Sequence, residues 1–98
     1  MTISKKNENG KLTVELEGRL DTTTAPQLEE DLKVSLDGVT ELVLDLKELA
    51  YISSAGLRVL LSAQKVMNKQ GSMKVVNANE EIREIFDVTG FIDILNVE

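Results

Sequence analysis

The chain is 98 residues long and 42 % hydrophobic but only 3 % aromatic, so residues 1–98 have the size of one ordinary domain with an aliphatic core. It contains neither cysteine nor histidine, which removes disulfides, thiolate chemistry, His-ligated zinc and any Ser-His-Asp triad built from this chain alone. With 17 acidic against 11 basic residues the net charge is −6, and with no basic run longer than Lys5-Lys6 the chain is not expected to bind a nucleic-acid backbone.

The N-terminal segment MTISKKNENG has no apolar stretch behind its lysines and does not read as a signal peptide. No apolar run approaches the ~20 residues of a membrane span, so a cytoplasmic protein with no direct membrane insertion is expected. Asn9-Gly10 is a strong signal for a tight hairpin, because both central positions of that turn need positive φ. After it, Leu12, Val14 and Leu16 alternate with Lys11, Thr13, Glu15 and Glu17, the pattern of a half-buried strand. The segment before the turn, with Ile3 as its main apolar residue, predicts a weaker edge strand. Thr24 with Gln27 three residues on has the form of a capping box, and Pro26 falls in the first turn. Ala25, Leu28, Leu32 and Leu36 then share one helical face, and Gly38 is the natural stop.

Leu42-Val43-Leu44 and Leu46 are nearly continuous, which predicts a central strand covered on both faces. A second helix is predicted over 54–69, with Leu57, Leu60, Leu61 and Met67 inward and Gly71 closing it. Residues 73–76 predict a short strand. Asn79 then caps a third helix with Ile82, Ile85 and Phe86 on its inner face, ended by Gly90, and 91–95 predict a last short strand or helix. The order β-β-α-β-α-β-α-β describes an α/β fold: a mixed sheet with an N-terminal hairpin and helices mainly on one face, its parallel crossovers right-handed.

In such sheets the loops after strand C-termini gather at one edge and supply binding sites. Residues 19–24 and 47–54 are the two loops expected there, which brings Asp21, Thr22, Ser53 and Ser54 toward one another. The small pair Ala55-Gly56 leaves backbone N–H groups uncovered at a helix start, where the dipole is positive and a phosphate on a neighbouring serine is welcome. The same residues also describe a simple turn at Asp21-Thr22 and a helix cap at Ser53 or Ser54. Catalysis finds less support. Asp21, Asp45 and Glu48 have no spacing that supplies a base for Ser54, and a serine without a base is a poor nucleophile. The glycines form no phosphate-cradling loop, and Glu29-Glu30-Asp31 reads as a solvated helix face rather than a metal site. Neither an enzyme nor a cofactor is expected.

Three blocks carry a resemblance along nearly the full chain. GRLD at 18–21 followed by TTTAPQL, LVLDLKELAYISSAGLRVL at 42–60 and NANEEIREIFDVTGFIDIL at 77–95 stand in the order and spacing of the STAS-domain anti-sigma factor antagonists, which the chain resembles. The resemblance implies a STAS-like fold and a partner-switching role. The unphosphorylated antagonist binds an anti-sigma factor with an ATP-binding serine kinase domain and frees the sigma factor. The kinase phosphorylates a loop serine and ends the binding, and a metal-dependent PP2C-type serine phosphatase resets the switch. By this likeness the acceptor is Ser54, with Ser53 as runner-up, and Asp21, Thr22, Ser53, Ala55, Gly56, Leu57 and Arg58 form the partner-binding surface. Ser53 stands where many members have Asp, Ala55 where they have a second Ser or Thr, and Arg58 where they have Gly. Stand-alone domains of this family also serve as constitutive adaptors in lipid-transport ABC complexes and signalling assemblies, which is the alternative the resemblance leaves open.

Overall fold

The computed structural model describes all residues, 1–98. Asn9 (φ +53) and Gly10 (φ +86) turn the chain between β1 (Thr2–Glu8) and β2 (Lys11–Leu20), which pair antiparallel with Glu8 opposite Lys11. There follow α1 (Ala25–Ser35), β3 (Glu41–Ile52), α2 (Ser54–Gln70), β4 (Ser72–Val76), α3 (Glu80–Thr89) and a 3-10 turn at Phe91–Asp93. The sheet order is β1-β2-β3-β4, and both β2–β3 and β3–β4 are parallel. The expected mixed sheet with an N-terminal hairpin is therefore present.

Strand alternation decides which face is covered. Leu12, Val14 and Leu16, Leu42, Leu44 and Leu46, and Met73 and Val75 form one cluster with Leu28 and Leu32 of α1, Leu57, Leu60 and Met67 of α2, and Ile82 and Phe86 of α3. Each fully buried Leu or Phe contributes about 1.5–3 kcal/mol. The other sheet face carries Glu15 and Glu17, which are exposed, and Thr13, Asp45 and Lys74, which are partly exposed. No helix lies on it, so the expectation of a strand covered on both faces holds only locally, at Val43 (6 % exposed).

Four further expectations are corrected. Thr24 does not build a capping box: it has helical dihedrals and makes no side-chain cap bond. Asp21 instead ties the turn that leads into α1, its carboxylate accepting from the backbone N–H groups of Thr23 and Thr24. Leu61 is half-buried at the margin of α2 rather than a core residue, while Ile85, also half-buried, packs against the core as expected of the inner face of α3. The stretch 47–52 is strand rather than loop, because β3 runs on to Ile52 through two register shifts against β2. These bulges leave Lys47 and Glu48 both exposed and so hide the period of two from the sequence. The chain also ends without a fifth strand: beyond the 3-10 turn only Val97 forms a bridge, parallel to Val75.

The pole at the N-terminal ends of the parallel strands is sealed by main chain. The Gly10 carbonyl accepts from Thr40 and Glu41, and Gln70 Nε2 donates to the carbonyls of Leu36 and Val39. Gly71 crosses so close to Thr40 that a Cβ would meet its carbonyl oxygen at 1.8 Å. The opposite pole is open.

Candidate functional site

At the open pole β2 and β3 end side by side, Leu20 paired with Ile52. The Ser53 amide donates to the Leu20 carbonyl at 2.9 Å, which fixes the start of α2 beside the end of β2. Ser53 has an extended backbone and its hydroxyl accepts from the Gly56 amide at 3.3 Å, so it is the N-cap. Ser54 is the first helical residue and is exposed. The two serines are thus separated in role: one hydroxyl is turned back onto the helix, the other stands in solvent over the positive end of the helix dipole.

Gly56 sets the height of this helix start. A Cβ there would lie 2.7 Å from Leu20 Cγ and 2.9 Å from Ile52 Cγ1, so only glycine lets α2 settle onto the strand ends. Gly56 and Leu57 are buried and shape the site from beneath. Ala55 is half-buried against the core, while Arg58, one turn on from Ser54, is exposed.

Asp21 organises the neighbouring loop. Its Oδ1 accepts from the Thr23 hydroxyl at 2.7 Å and from the Thr23 and Thr24 amides at 3.0 and 3.1 Å. Foremost the Thr23 hydroxyl, then the Thr24 amide, hold its carboxyl below the usual carboxylate range. Thr24 Oγ1 accepts from the Asp21 amide and donates to the Arg19 carbonyl, both at 2.8 Å. Thr22 is exposed at the tip. The sequence reading missed the rim beside it, where the Arg19 guanidinium stacks 4.4 Å from the Tyr51 ring centre and its Nε lies 3.9 Å from Asp21 Oδ2. Arg19 and Tyr51 are paired only after both register shifts of β3 are counted, and the sequence does not announce those.

Neither serine has a carboxylate hydrogen-bonded to its hydroxyl, and Asp21, just past the end of β2, spends its Oδ1 on its own loop. No group of three or more His, Cys, Asp or Glu residues converges to hold a metal ion. The grooves lie elsewhere, one of about 280 Å³ between α1 and α2 under Leu32, Leu36, Val59 and Ala63.

The fold is a small α/β module with an exposed serine at its open sheet edge. The chain belongs to the STAS domain family, whose model matches residues 2–98. It is 38 % identical to BtrV of Bordetella bronchiseptica, provisionally named an anti-sigma factor antagonist, over 99 % of this chain and 85 % of that protein. It is 36 % identical to the anti-sigma-B factor antagonist of Bacillus subtilis, over 95 % of this chain and 85 % of that one. The crystal structure of an anti-sigma factor antagonist from Mycobacterium paratuberculosis superposes with a TM-score of 0.87 at 27 % identity, covering 98 % of this chain and 83 % of that chain. No helix is long and apolar enough to cross a membrane.

Proposed function

We infer that this protein is an anti-sigma factor antagonist that binds an anti-sigma factor through the open pole and is switched off by phosphorylation of Ser54. The contact surface consists of Asp21, Thr22, Ser53, Ser54, Ala55 and Arg58, held in place by Gly56 and Leu57. The anti-sigma factor is itself the ATP-dependent serine kinase, and a PP2C-type phosphatase restores the free hydroxyl. One observation carries the choice of acceptor: Ser54 is exposed, whereas the Ser53 hydroxyl is half-buried and engaged with the Gly56 amide.

The phosphate brings about −1.5 to −2 charges to a helix N-terminus that tolerates them, so the fold survives while the interface does not. Desolvating that charge against a partner need cost only ~2.7 kcal/mol to weaken affinity a hundredfold. The test is a paired capture from native lysate with wild-type, Ser54→Ala and Ser54→Asp baits. An ATP-binding anti-sigma kinase held by the first two and lost by the third is expected. Equal retention of a transporter subunit on all three would instead make the protein a constitutive adaptor.

A further inference from the structure

The helix that begins at Ser54 is charged differently from the rest of the molecule. α2 contains Arg58, Lys65 and Lys69 and no acidic residue, in a chain of net charge −6. The other two helices are net acidic: α1 exposes Glu29 and Glu30 against Lys33, and α3 exposes Glu80, Glu81, Glu84 and Asp87 against Arg83. At about 100° per residue, Ser54, Arg58, Leu61, Lys65 and Lys69 fall within an arc of about 80° on one side of α2. The three cations are exposed and none forms an ion pair; Lys11, Lys47, Lys74 and Arg83 are unpaired too, but only those of α2 stand in line on one helix without an acidic residue. Leu61, half-buried, stands between Arg58 and Lys65 and gives the stripe an apolar centre.

We propose that this stripe is a docking ridge for an acidic protein segment, a row of carboxylates that spans the roughly 16 Å from Arg58 to Lys69 at 1.5 Å rise per residue. Charge complementarity selects that occupant. Three unpaired cations in line on an acidic protein attract carboxylates, and the acidic flanks repel anything anionic that extends past them. A nucleic-acid backbone extends past them, because it carries charge along its whole length. On the α1 side Glu29 and Glu30 share the single Lys33 at 3.8 and 3.7 Å, which leaves that flank net negative. The inference rests on the proposed function only for whose segment it is, namely that of the anti-sigma factor. Ser54 heads the ridge, so a phosphate there would compete with the segment's first carboxylate for Arg58.

The test needs neither the anti-sigma factor nor phosphorylation, so its failure is distinct from failure of the Ser54 switch. The ¹⁵N-labelled full chain is titrated with a hexaglutamate peptide at about 0.02 M ionic strength and again at about 0.3 M, where exposed charges are largely screened. Amide shifts concentrated in residues 54–69 at low salt and lost at high salt are expected. They should also be lost in a Lys65→Glu/Lys69→Glu variant whose circular dichroism is unchanged. Shifts that are absent, or that persist in this variant, overturn the proposal. So does a DNA duplex that moves the same amides at about 0.15 M salt, which would make the ridge a nucleic-acid site. Self-association abolished by the same double substitution would assign it to a second copy of the chain and overturn the proposal as well.

Discussion

Gly56 rests directly on Leu20: the space a Cβ would need is already taken by Leu20 Cγ at 2.7 Å. Leu20 is 0 % exposed, and Ile52 on the other side is 1 % exposed, so neither side chain can swing out of the way. The first turn of α2, and with it Ser53 and Ser54, is therefore seated on the paired ends of β2 and β3 by the absence of one methyl group. The candidate site and the core meet at this contact.

Gly56→Ala should consequently destabilise the fold even though alanine is the better helix former. Overpacking costs about 1–3 kcal/mol, against a gain of roughly 0.5–1 kcal/mol from helix propensity. A net loss near 1 kcal/mol lowers the melting temperature by roughly 4–8 °C in a domain of this size. Thermal melts followed by circular dichroism check this, and a melting temperature at or above wild type would show that α2 shifts freely. Gly71→Ala should be worse, because there the obstacle is the Thr40 main chain at 1.8 Å rather than a side chain.

The two serines should separate cleanly in stability measurements. Ser53→Ala removes the acceptor of the Gly56 amide and should cost about 1 kcal/mol. Ser54→Ala removes an exposed hydroxyl and should stay within ~0.5 kcal/mol of wild type. Urea denaturation of the two variants tests this, and equal losses would mean that the cap is shared.

Acid stability should expose the clip between the edge strand and α1. Lys5 Nζ donates to Asp31 Oδ1 at 2.6 Å and to Ser35 Oγ at 3.0 Å. The Lys5 ammonium, with help from the Ser35 hydroxyl, holds the Asp31 carboxyl below its ordinary value. A carboxyl with a depressed folded-state pKa binds fewer protons folded than unfolded, so its contribution is complete above the unfolded value of about 3.9 and is lost as pH falls through the folded one. Wild type should exceed Asp31→Asn by about 0.5–1 kcal/mol at pH 7, allowing for solvent screening of a partly exposed pair. The two should converge near pH 2. A difference unchanged across that range would rule out titration of Asp31 as the cause.

The sequence makes legible whatever depends on neighbours in the chain. Asn9-Gly10 gives the hairpin, the alternation of Leu12, Val14 and Leu16 gives β2, and Asn79 with Gly90 brackets α3. Asn79 Oδ1 does accept from the Ile82 amide, and Gly90 is left-handed at φ +80. What the sequence hides depends on partners far along the chain. The bulges of β3 exist only against β2 and turn a predicted loop into the strand that carries Tyr51 to Arg19. Thr24 has the local form of a cap, but its hydroxyl is engaged with the Asp21 amide and the Arg19 carbonyl instead. Gly71 looks like a conformational stop, yet its φ of 173° suits any residue and only Thr40 explains it. At the site, that Ser53 is the cap and Ser54 the exposed first helical residue becomes visible once the Ser53 hydroxyl is seen bound to Gly56.

Arg58 should act on the phosphate of Ser54 within the same helix. The two positions are four apart at the start of α2, which brings their Cβ atoms to about 5–6 Å. Arg58 is exposed and has no partner among the ion pairs of the chain. A phosphoserine has a second pKa of about 6, and a guanidinium within reach favours the dianion and lowers that value. With phosphoserine installed at position 54, ³¹P NMR titration should give a lower second pKa in the otherwise wild-type chain than in Arg58→Gln. The helix dipole acts equally in both proteins, so the difference isolates the side chain. Arg58→Lys should recover part of the effect, because it restores the charge without the planar fork. Coincident titrations for wild type and Arg58→Gln would leave the phosphate to the helix amides alone, and Arg58 would then be free to meet a partner carboxylate whatever the state of Ser54.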